Sequence, residues 1–180
     1  MRSAVIARNM GLVLLVNALF MFISVVVSIL YGFDTGFFPL LLAATITVTV
    51  GALPFIFIKK AEDIATREGY VIAVLSWVVS CLFGMLPYVF WGGEFSLINA
   101  WYESVSGFTT TGSTILTSVE ALPHSLLFWR AATQWIGGMG VVLFMLLILP
   151  EVNSVRLRLS RIEISSLSQD SYRFRAKETI

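Results

Sequence analysis

Four uncharged stretches, each long enough to cross a lipid bilayer, constrain this chain more than any other feature. They run over residues 9–33, 35–58, 69–93 and 131–150. A bilayer core about 30 Å thick needs roughly 20 apolar residues in a helix that rises about 1.5 Å per residue. Only 13% of the 180 residues are charged, against about 25% in soluble domains. The sequence therefore predicts an all-α integral membrane protein and excludes a soluble enzyme and a disordered chain.

The positions of the basic residues predict the orientation of these spans. Of the twelve Lys and Arg residues, eleven lie in residues 1–8, 59–68 or 151–180, and the exception is Arg130. Cytoplasmic segments next to spans are enriched in Lys and Arg. We therefore expect four crossings of the cell (inner or plasma) membrane, with both termini in the cytoplasm. The expected divisions are a leading helix pair (1–58), a cytoplasmic loop (59–68), a helix–pore loop–helix repeat (69–150) and a basic tail or linker to a next repeat (151–180).

A fifth apolar piece, residues 95–107, is too short to cross the bilayer. Stretches of about 10–14 apolar residues are better interpreted as re-entrant or interfacial helices. We expect this helix to end at Gly107. The three threonines that follow, Thr109, Thr110 and Thr111, are β-branched and predict an extended strand, whose direction Gly112 can change because glycine tolerates positive φ. An extended loop at membrane depth can supply backbone carbonyls to a dehydrated cation, and hydroxyls could add further oxygens.

The sequence offers little material for other chemistry. Cys81 is the single cysteine and His124 the single histidine, so an internal disulfide and a thiolate metal site are excluded. A net charge of +1 gives no case for nucleic-acid binding. An intramembrane hydrolase would have to pair a serine such as Ser106 with His124. Neither a Gly-x-Ser-x-Gly elbow nor an HExxH motif is present, so we predict no enzyme activity.

Three sequence segments resemble the TrkH/KtrB family of potassium uptake proteins, which belongs to the superfamily of potassium transporters. They are Arg-Glu-Gly at 67–69, SGFTTTGST at 106–114 and LLFWRAATQWIGGMG at 126–140. The resemblance implies a fold of two leading helices followed by four helix–pore-loop–helix repeats. This chain matches the leading pair and the first repeat. The resemblance also implies that a single glycine in the filter loop is the family's own pattern.

The resemblance implies potassium uptake through a selectivity filter to which this chain contributes one of four loops. Potassium is then the transported substrate, bound at Thr110, Thr111 and Gly112, and no cofactor is expected. The residues assigned to the filter are Thr110, Thr111, Gly112 and Ser113. Those assigned to its support are Glu103, Thr109, Thr114 and Arg130. Three glycines are assigned to helix packing or to a flexible point on the conduction path: Gly137, Gly138 and Gly140.

The roles of the two charged residues stay open at this stage. Glu103 can attract cations to the mouth of the pore or accept hydrogen bonds that brace the filter, and an ionisable group at this depth requires a partner. Arg130 can pair with Glu103 or another acid, or set a positive barrier near the filter.

One loop is only a quarter of a four-fold filter, so other loops are required. They come either from further sequence beyond residue 180 or from other copies of a short subunit in a homotetramer. A non-conducting structural or assembly subunit is a further alternative. The expected partners are potassium, membrane lipid and the remaining pore repeats, and nucleic acid is not among them. The resemblance adds a homodimer of the full-length protein and contact with a cytosolic nucleotide-binding regulatory ring.

Overall fold

The computed structural model describes residues 3–58 and 66–148, and every element in this part of the chain is helical. The elements in chain order are α1 (Ser3–Leu30), α2 (Phe37–Phe57), α3 (Thr66–Gly84), α4 (Leu86–Trp91), α5 (Leu97–Phe108), a 3₁₀ turn (Val119–Ala121) and α6 (His124–Ile148). The chain divides into two compact units, residues 1–141 and 142–180. Of the second unit, only the last residues of α6 are described. The expected all-helical membrane fold class is confirmed.

Within residues 3–58 and 66–148, three helical segments are long and apolar enough to cross a membrane: Ser3–Leu30, Phe37–Phe57 and Glu68–Trp91. They correspond to the first three predicted spans. The fourth predicted span, residues 131–150, falls on α6, but its last two residues lie outside the described residues. Its crossing therefore stays a prediction. The predicted basic tail, 151–180, and most of the predicted loop 59–68 also lie outside the described part of the chain.

Helices α1 and α2 pack through small residues. The backbones of Gly11 and Gly51 approach so closely that a Cβ added to Gly51 would lie 3.1 Å from the Gly11 carbonyl oxygen. Small residues allow this approach, which is common between helices in membranes. On the opposite face of α1, Leu12, Leu19 and Val26 are each more than half exposed. This division is typical of a helix with one face in protein and one face in lipid.

The third predicted span is interrupted where α3 ends at Gly84 and α4 begins at Leu86. Pro87 lies at the second position of α4 and has no N–H to donate, which weakens a helix here. Side chains bond to two carbonyls beside the break, of which that of Cys81 also accepts from the Met85 N–H at 3.1 Å. The Trp129 indole donates to the Gly84 carbonyl at 3.1 Å, and the Ser104 hydroxyl donates to the Cys81 carbonyl at 2.8 Å. The break therefore attaches this span to both α5 and α6.

The loop between α1 and α2 caps the start of α6 from far away in the sequence. Asp34 Oδ2 accepts from the Ser125 N–H at 2.9 Å, across 91 residues. Asp34 Oδ1 accepts from the hydroxyls of Ser125 at 2.7 Å and Ser28 at 2.6 Å. A carboxylate at a helix N-terminus satisfies free N–H groups and interacts favourably with the helix dipole. Beside this cap the His124 ring stacks on Tyr31, with ring centroids 4.2 Å apart.

Candidate functional site

The short helix α5 is held at both ends by local contacts. Ser96 caps its start, since the Ser96 hydroxyl accepts from the Asn99 N–H at 3.3 Å. The helix ends at Phe108 rather than at Gly107, so Gly107 is not its terminator. A Cβ on Gly107 would collide with the Thr133 hydroxyl of α6. The glycine is required because α5 and α6 approach closely at this point.

The chain leaves α5 through a Schellman motif. The Thr111 N–H donates to the Ser106 carbonyl at 3.0 Å, and the Thr110 N–H donates to the Gly107 carbonyl at 2.9 Å. This pair of bonds satisfies helix-terminal carbonyls and places Thr110 at the position that glycine usually occupies. Thr110 adopts a φ of +58°, which is rare for a β-branched residue. The predicted extended strand over the three threonines is therefore wrong, because completing the helix cap turns the backbone at Thr110.

Gly112 also adopts positive φ, at +75°, as expected from its place after the threonines. The nearest atom that a Cβ on Gly112 would meet is the Gln134 amide nitrogen, at 3.7 Å. Space is therefore available for a side chain, and the backbone conformation is what favours glycine here. Two left-handed residues, Thr110 and Gly112, give the segment its irregular course.

Glu103 is the centre of the hydrogen bonds behind this segment. Glu103 is buried, and its carboxylate accepts through Oε2 from the Thr114 hydroxyl at 2.9 Å and the Ile115 N–H at 3.4 Å. Its other oxygen, Oε1, accepts from Arg130 Nε at 2.6 Å. Of the two roles considered for Glu103, this geometry fits bracing, because the carboxylate is enclosed by donors and is not open to solvent.

Arg130 joins Glu103 to the loop backbone. Its Nη2 donates to the Gly112 carbonyl at 3.1 Å, while its Nε pairs with Glu103. The pairing considered from the sequence is therefore observed, and the guanidinium also lies at the loop itself. A planar guanidinium presents several donors in fixed directions, so one residue orients both the carboxylate and the carbonyl.

The carbonyl oxygens of the loop differ in their availability. The Gly112 carbonyl accepts from Arg130, and the Ser113 carbonyl accepts from the Ser106 hydroxyl at 2.5 Å. In the part of the chain that the structure describes, no hydrogen bond is made to the carbonyls of Thr110 or Thr111. Residues 109–113 are all exposed. The loop thus presents free oxygens at Thr110 and Thr111, while the two following carbonyls are held by side chains.

The threonine hydroxyls are also partly engaged. Thr109 Oγ1 donates to the Val105 carbonyl at 2.8 Å and lies 2.9 Å from Thr111 Oγ1. Thr114 Oγ1 donates to Glu103 and accepts from the Leu116 N–H at 3.1 Å. These contacts support the loop at its two ends, at Thr109 and at Thr114.

The glycines of α6 fall into two groups. A Cβ on Gly137 would overlap the backbone of Phe108, whereas one on Gly138 would lie 3.9 Å from Thr110 and one on Gly140 would lie 3.7 Å from Trp77. Helix α6 is uninterrupted from His124 to Ile148. Gly137 therefore serves helix packing, at the end of α5, and α6 has no unwound point at these residues.

The structure gives no support to a serine–histidine pair. The Ser106 hydroxyl donates to the Ser113 carbonyl, and His124, the first residue of α6, stacks on Tyr31. Neither contact is that of a nucleophile activated by an imidazole base.

Sequence reasoning missed several residues that position the site. Ser106 has no predicted role in supporting the loop, although its hydroxyl fixes the Ser113 carbonyl. Ser104, Trp129 and Thr133 have no predicted structural role, and they attach α5 and α6 to each other and to α3. One sequence signal could have indicated the role of Ser106. Ser106 lies just before the end of α5 and Ser113 lies just after it, so the Ser106 hydroxyl can reach the backbone of the loop.

A comparison with models of protein families decides which family the chain belongs to. A family model described as TrkH, cation transport protein, matches residues 38–178. The chain belongs to the TrkH cation transport protein family. Among its relatives, the Trk system potassium uptake protein TrkH of Halomonas elongata is 38% identical over 173 residues, which are 95% of this chain and 36% of that protein. The Escherichia coli protein of the same name is 38% identical over 123 residues, or 67% of this chain and 26% of that protein.

A solved TrkH structure agrees with this assignment. The crystal structure of the potassium transporter TrkH from Vibrio parahaemolyticus superposes with a TM-score of 0.77 at 32% identity, covering 83% of this chain and 32% of that one. This chain thus spans about a third of the length of the TrkH proteins that it matches. The residues of the site described above all lie inside the part matched by the family model.

Proposed function

We propose that this chain takes part in potassium uptake across the cell membrane and contributes one of four loops to a selectivity filter. The observation that carries the proposal is the exposed segment 109–113, which follows a short helix. Its Thr110 and Thr111 carbonyls are free, while its Gly112 and Ser113 carbonyls are held by Arg130 and Ser106. The relatives named as potassium uptake proteins support the choice of ion. Four such loops around an axis would replace the hydration shell of a potassium ion.

The electrostatics of α5 favour a cation at this loop. The C-terminal end of a helix carries a partial negative charge, equivalent to roughly half an elementary charge. Helix α5 ends at Phe108, directly before the exposed segment. Arg130 places a positive charge on the other side of Gly112, but the Glu103 carboxylate at 2.6 Å balances it. The net field at Thr110 and Thr111 therefore favours a cation.

The assignment of individual ligands follows from which carbonyls are free. Thr110 and Thr111 supply backbone oxygens directly. Gly112 and Ser113 each have one hydrogen bond already, from Arg130 and Ser106, and each carbonyl keeps a second lone pair. We infer that the first two residues provide the closest ligands, and that the other two contribute through orientations fixed by their side-chain partners. We expect preference for potassium, with less strict exclusion of sodium than a two-glycine filter gives.

The placement in the membrane is part of the same proposal. The distribution of basic residues supports a cell-membrane location with both termini in the cytoplasm. The loop at Asp34 and the segment from Trp91 to Ser125 would then face outward, and α5 would enter the membrane from outside without crossing it. The division of the chain into a leading helix pair, a cytoplasmic loop, a helix–pore loop–helix repeat and a basic tail, with boundaries after residues 58, 68 and 150, follows from this topology.

The remaining loops come from sequence beyond this chain or from other copies of it. A homodimer of the full-length protein and a cytosolic nucleotide-binding regulatory ring, both implied by the family resemblance, complete the proposed assembly. No part of the proposal requires a cofactor or a reaction catalysed by the chain.

Rubidium uptake into liposomes made with the full-length protein tests this function. Gly112→Ser should weaken the discrimination of potassium over sodium, because a side chain strains the positive φ of this loop position. Gly32→Ser is the matched control, since Gly32 has a φ of +80° in a loop and no atom within 4 Å of an added Cβ. Unchanged ion ratios in Gly112→Ser would reject the filter role, and absent uptake by the unaltered protein would favour the structural or assembly subunit.

A further inference from the structure

One face of α6 lies along the loop that follows α5. Arg130, Gln134 and Gly138 of α6 recur at intervals of four residues, so they lie on the same face and about 6 Å apart along the helix. The Arg130 guanidinium reaches the Gly112 carbonyl at 3.1 Å, and a Cβ added to Gly138 would lie 3.9 Å from the Thr110 methyl group. The residue between them, Gln134, therefore faces the same loop.

Gln134 meets the loop at Gly112. Its amide nitrogen lies 3.7 Å from the position of a Cβ on Gly112, closer than any other atom in that direction. The side chain is half-buried, and within the described residues we find no hydrogen bond to its carboxamide. The contact between Gln134 and the loop is therefore one of packing, made by the end of a long side chain against a residue that has none.

The contacts between α6 and the loop are complementary in size. At one level Gly138 of the helix has no side chain, and Thr110 of the loop supplies one. At the next level Gly112 of the loop has no side chain, and Gln134 of the helix supplies one. Packed protein leaves few voids, so the space beside a glycine is filled by its neighbour. The loop thus stays about one side chain away from α6 at both levels.

The hydrogen bonds of the loop do not set this separation by themselves. Arg130 donates to the Gly112 carbonyl, which fixes the direction of that carbonyl. A long arginine side chain has many rotamers, so the bond can persist while the backbone moves toward the helix or away from it. A side chain packed between the two, as Gln134 is, limits that movement.

We propose that Gln134 is a positioning residue that determines the ion specificity of the loop by holding Gly112 at a fixed distance from α6. The length of the Gln134 side chain sets this distance, and with it the spacing between the Gly112 oxygen and the free oxygens of Thr110 and Thr111. A changed spacing alters which ion the carbonyls accommodate in place of its hydration shell. The effect on specificity rests on the function proposed above, whereas the contact between Gln134 and Gly112 does not.

Thermal unfolding of the full-length protein tests the contact. Gly112→Ser adds a hydroxyl one bond beyond the Cβ, within reach of the Gln134 carboxamide, and a hydrogen bond between them partly offsets the backbone strain. Gly112→Ser should therefore lower the thermal midpoint more in a Gln134→Ala background than in the unaltered protein, because side chains in contact give non-additive effects. Met139→Ala, which shortens a 45% exposed side chain elsewhere on α6, is the matched control and should be additive with Gly112→Ser. Additive losses for Gln134→Ala as well would overturn the proposal.

Competition of potassium and sodium with rubidium uptake into liposomes tests the positioning role. Gln134→Ala should lower the discrimination of potassium over sodium severalfold while rubidium uptake persists. Gln134→Met keeps an unbranched side chain of similar length without the amide, so it should restore most of the discrimination, and Met139→Ala should leave it unchanged. Unchanged discrimination in Gln134→Ala would overturn the proposal. A loss in Gln134→Met as large as that in Gln134→Ala would also overturn it, because side-chain length would then not be what matters.

The proposed function and the role of Gln134 fail in different ways. If Gly112→Ser leaves the ion ratios unchanged, the filter function fails, whereas the unfolding measurements still decide whether Gln134 contacts Gly112. If Gly112→Ser changes the ion ratios and Gln134→Ala does not, the filter function stands and the positioning role of Gln134 is overturned.

Discussion

Arg130 and Glu103 form an ion pair with 2.6 Å between Nε and Oε1, in which the Glu103 side chain is 0% exposed and the Arg130 side chain is 16% exposed. The two residues come from different helices, α6 and α5, and the same guanidinium reaches the Gly112 carbonyl. The pair therefore links the packing of two helices to the backbone of the exposed loop. Removal of Arg130 would leave the Glu103 carboxylate buried without its charge partner, which is more damaging than losing both charges.

A double-mutant cycle measures this linkage. Glu103→Gln and Arg130→Gln should each lower stability, because each removes the partner of the remaining charge, and Arg130→Gln leaves the fully buried Glu103 carboxylate uncompensated. The double variant should be more stable than the sum of the two losses implies, with a coupling energy of about 1–3 kcal/mol. Denaturant or thermal unfolding of the purified protein gives the four values. Additive losses would show that the two side chains do not stabilise the fold as a pair.

Gly137 and Gly138 give a second prediction, because they are neighbours with different surroundings. Gly137→Ala places a Cβ on the Phe108 backbone and should destabilise the protein by about 1–3 kcal/mol, as overpacking does. Gly138→Ala meets its nearest atom at 3.9 Å and should be neutral or slightly stabilising, since alanine favours a helix. Thermal unfolding compares the two variants. Equal midpoints would contradict the close approach of α5 and α6.

Thr110 gives a third prediction, from its left-handed backbone. A non-glycine residue in this conformation costs roughly 1–2 kcal/mol, and glycine removes that cost while losing conformational entropy on folding. Thr110→Gly should therefore raise the thermal midpoint modestly. Thr111→Gly is the control, because Thr111 is not among the residues with positive φ, and it should lower the midpoint. The reverse order would contradict the cap at the end of α5.

Asp34 gives a prediction about pH. Burial is the largest single effect and by itself raises the pKa of this carboxyl, but four hydrogen bonds from Ser28, Ser125 and Gly36 together lower the pKa below 3.8. Because the folded pKa is depressed, the stabilisation is fully present above the unfolded pKa and is lost as the pH falls through the folded pKa. The unaltered protein should thus lose stability below about pH 4.

Asp34→Asn tests the direction of this pH dependence. The variant should be less stable than the unaltered protein at neutral pH, and the difference should shrink as the pH falls through the acid range. Thermal midpoints measured along a pH series give the comparison, and Glu120→Gln, in the exposed 3₁₀ turn, is the control. A constant difference at every pH would show that the Asp34 charge does not contribute through its hydrogen bonds.

Much of this architecture could be predicted from sequence because the lipid environment limits the choices. Apolar stretches of at least about 20 residues have to become helices, since a bilayer satisfies no backbone hydrogen bonds. The first three spans follow from this rule, and the short helix near residues 95–107 follows from the separate expectation that apolar stretches of about 10–14 residues are re-entrant or interfacial. The importance of Glu103 and Arg130 follows from their charge, because ionisable groups are costly at membrane depth unless they are paired.

Tertiary contacts decided what hydropathy leaves open. No periodicity in the sequence predicts that Asp34 contacts Ser125 at the start of α6, because the two residues are 91 positions apart. The threonines favour an extended strand by their local preference, yet completing the cap of α5 turns Thr110 into a left-handed conformation. Whether a glycine is required depends on how closely the neighbouring helix approaches. The end of α5 leaves no room for a Cβ on Gly137, whereas a Cβ on Gly138 would fit.

The sequence by itself thus determined which segments are helical and which residue types could meet a cation, because hydropathy and charge act locally along the chain. Only the tertiary structure decided which carbonyl oxygens stay free and which are held. That choice depends on hydrogen bonds from Arg130 and Ser106, whose geometry exists only after α5 and α6 have packed.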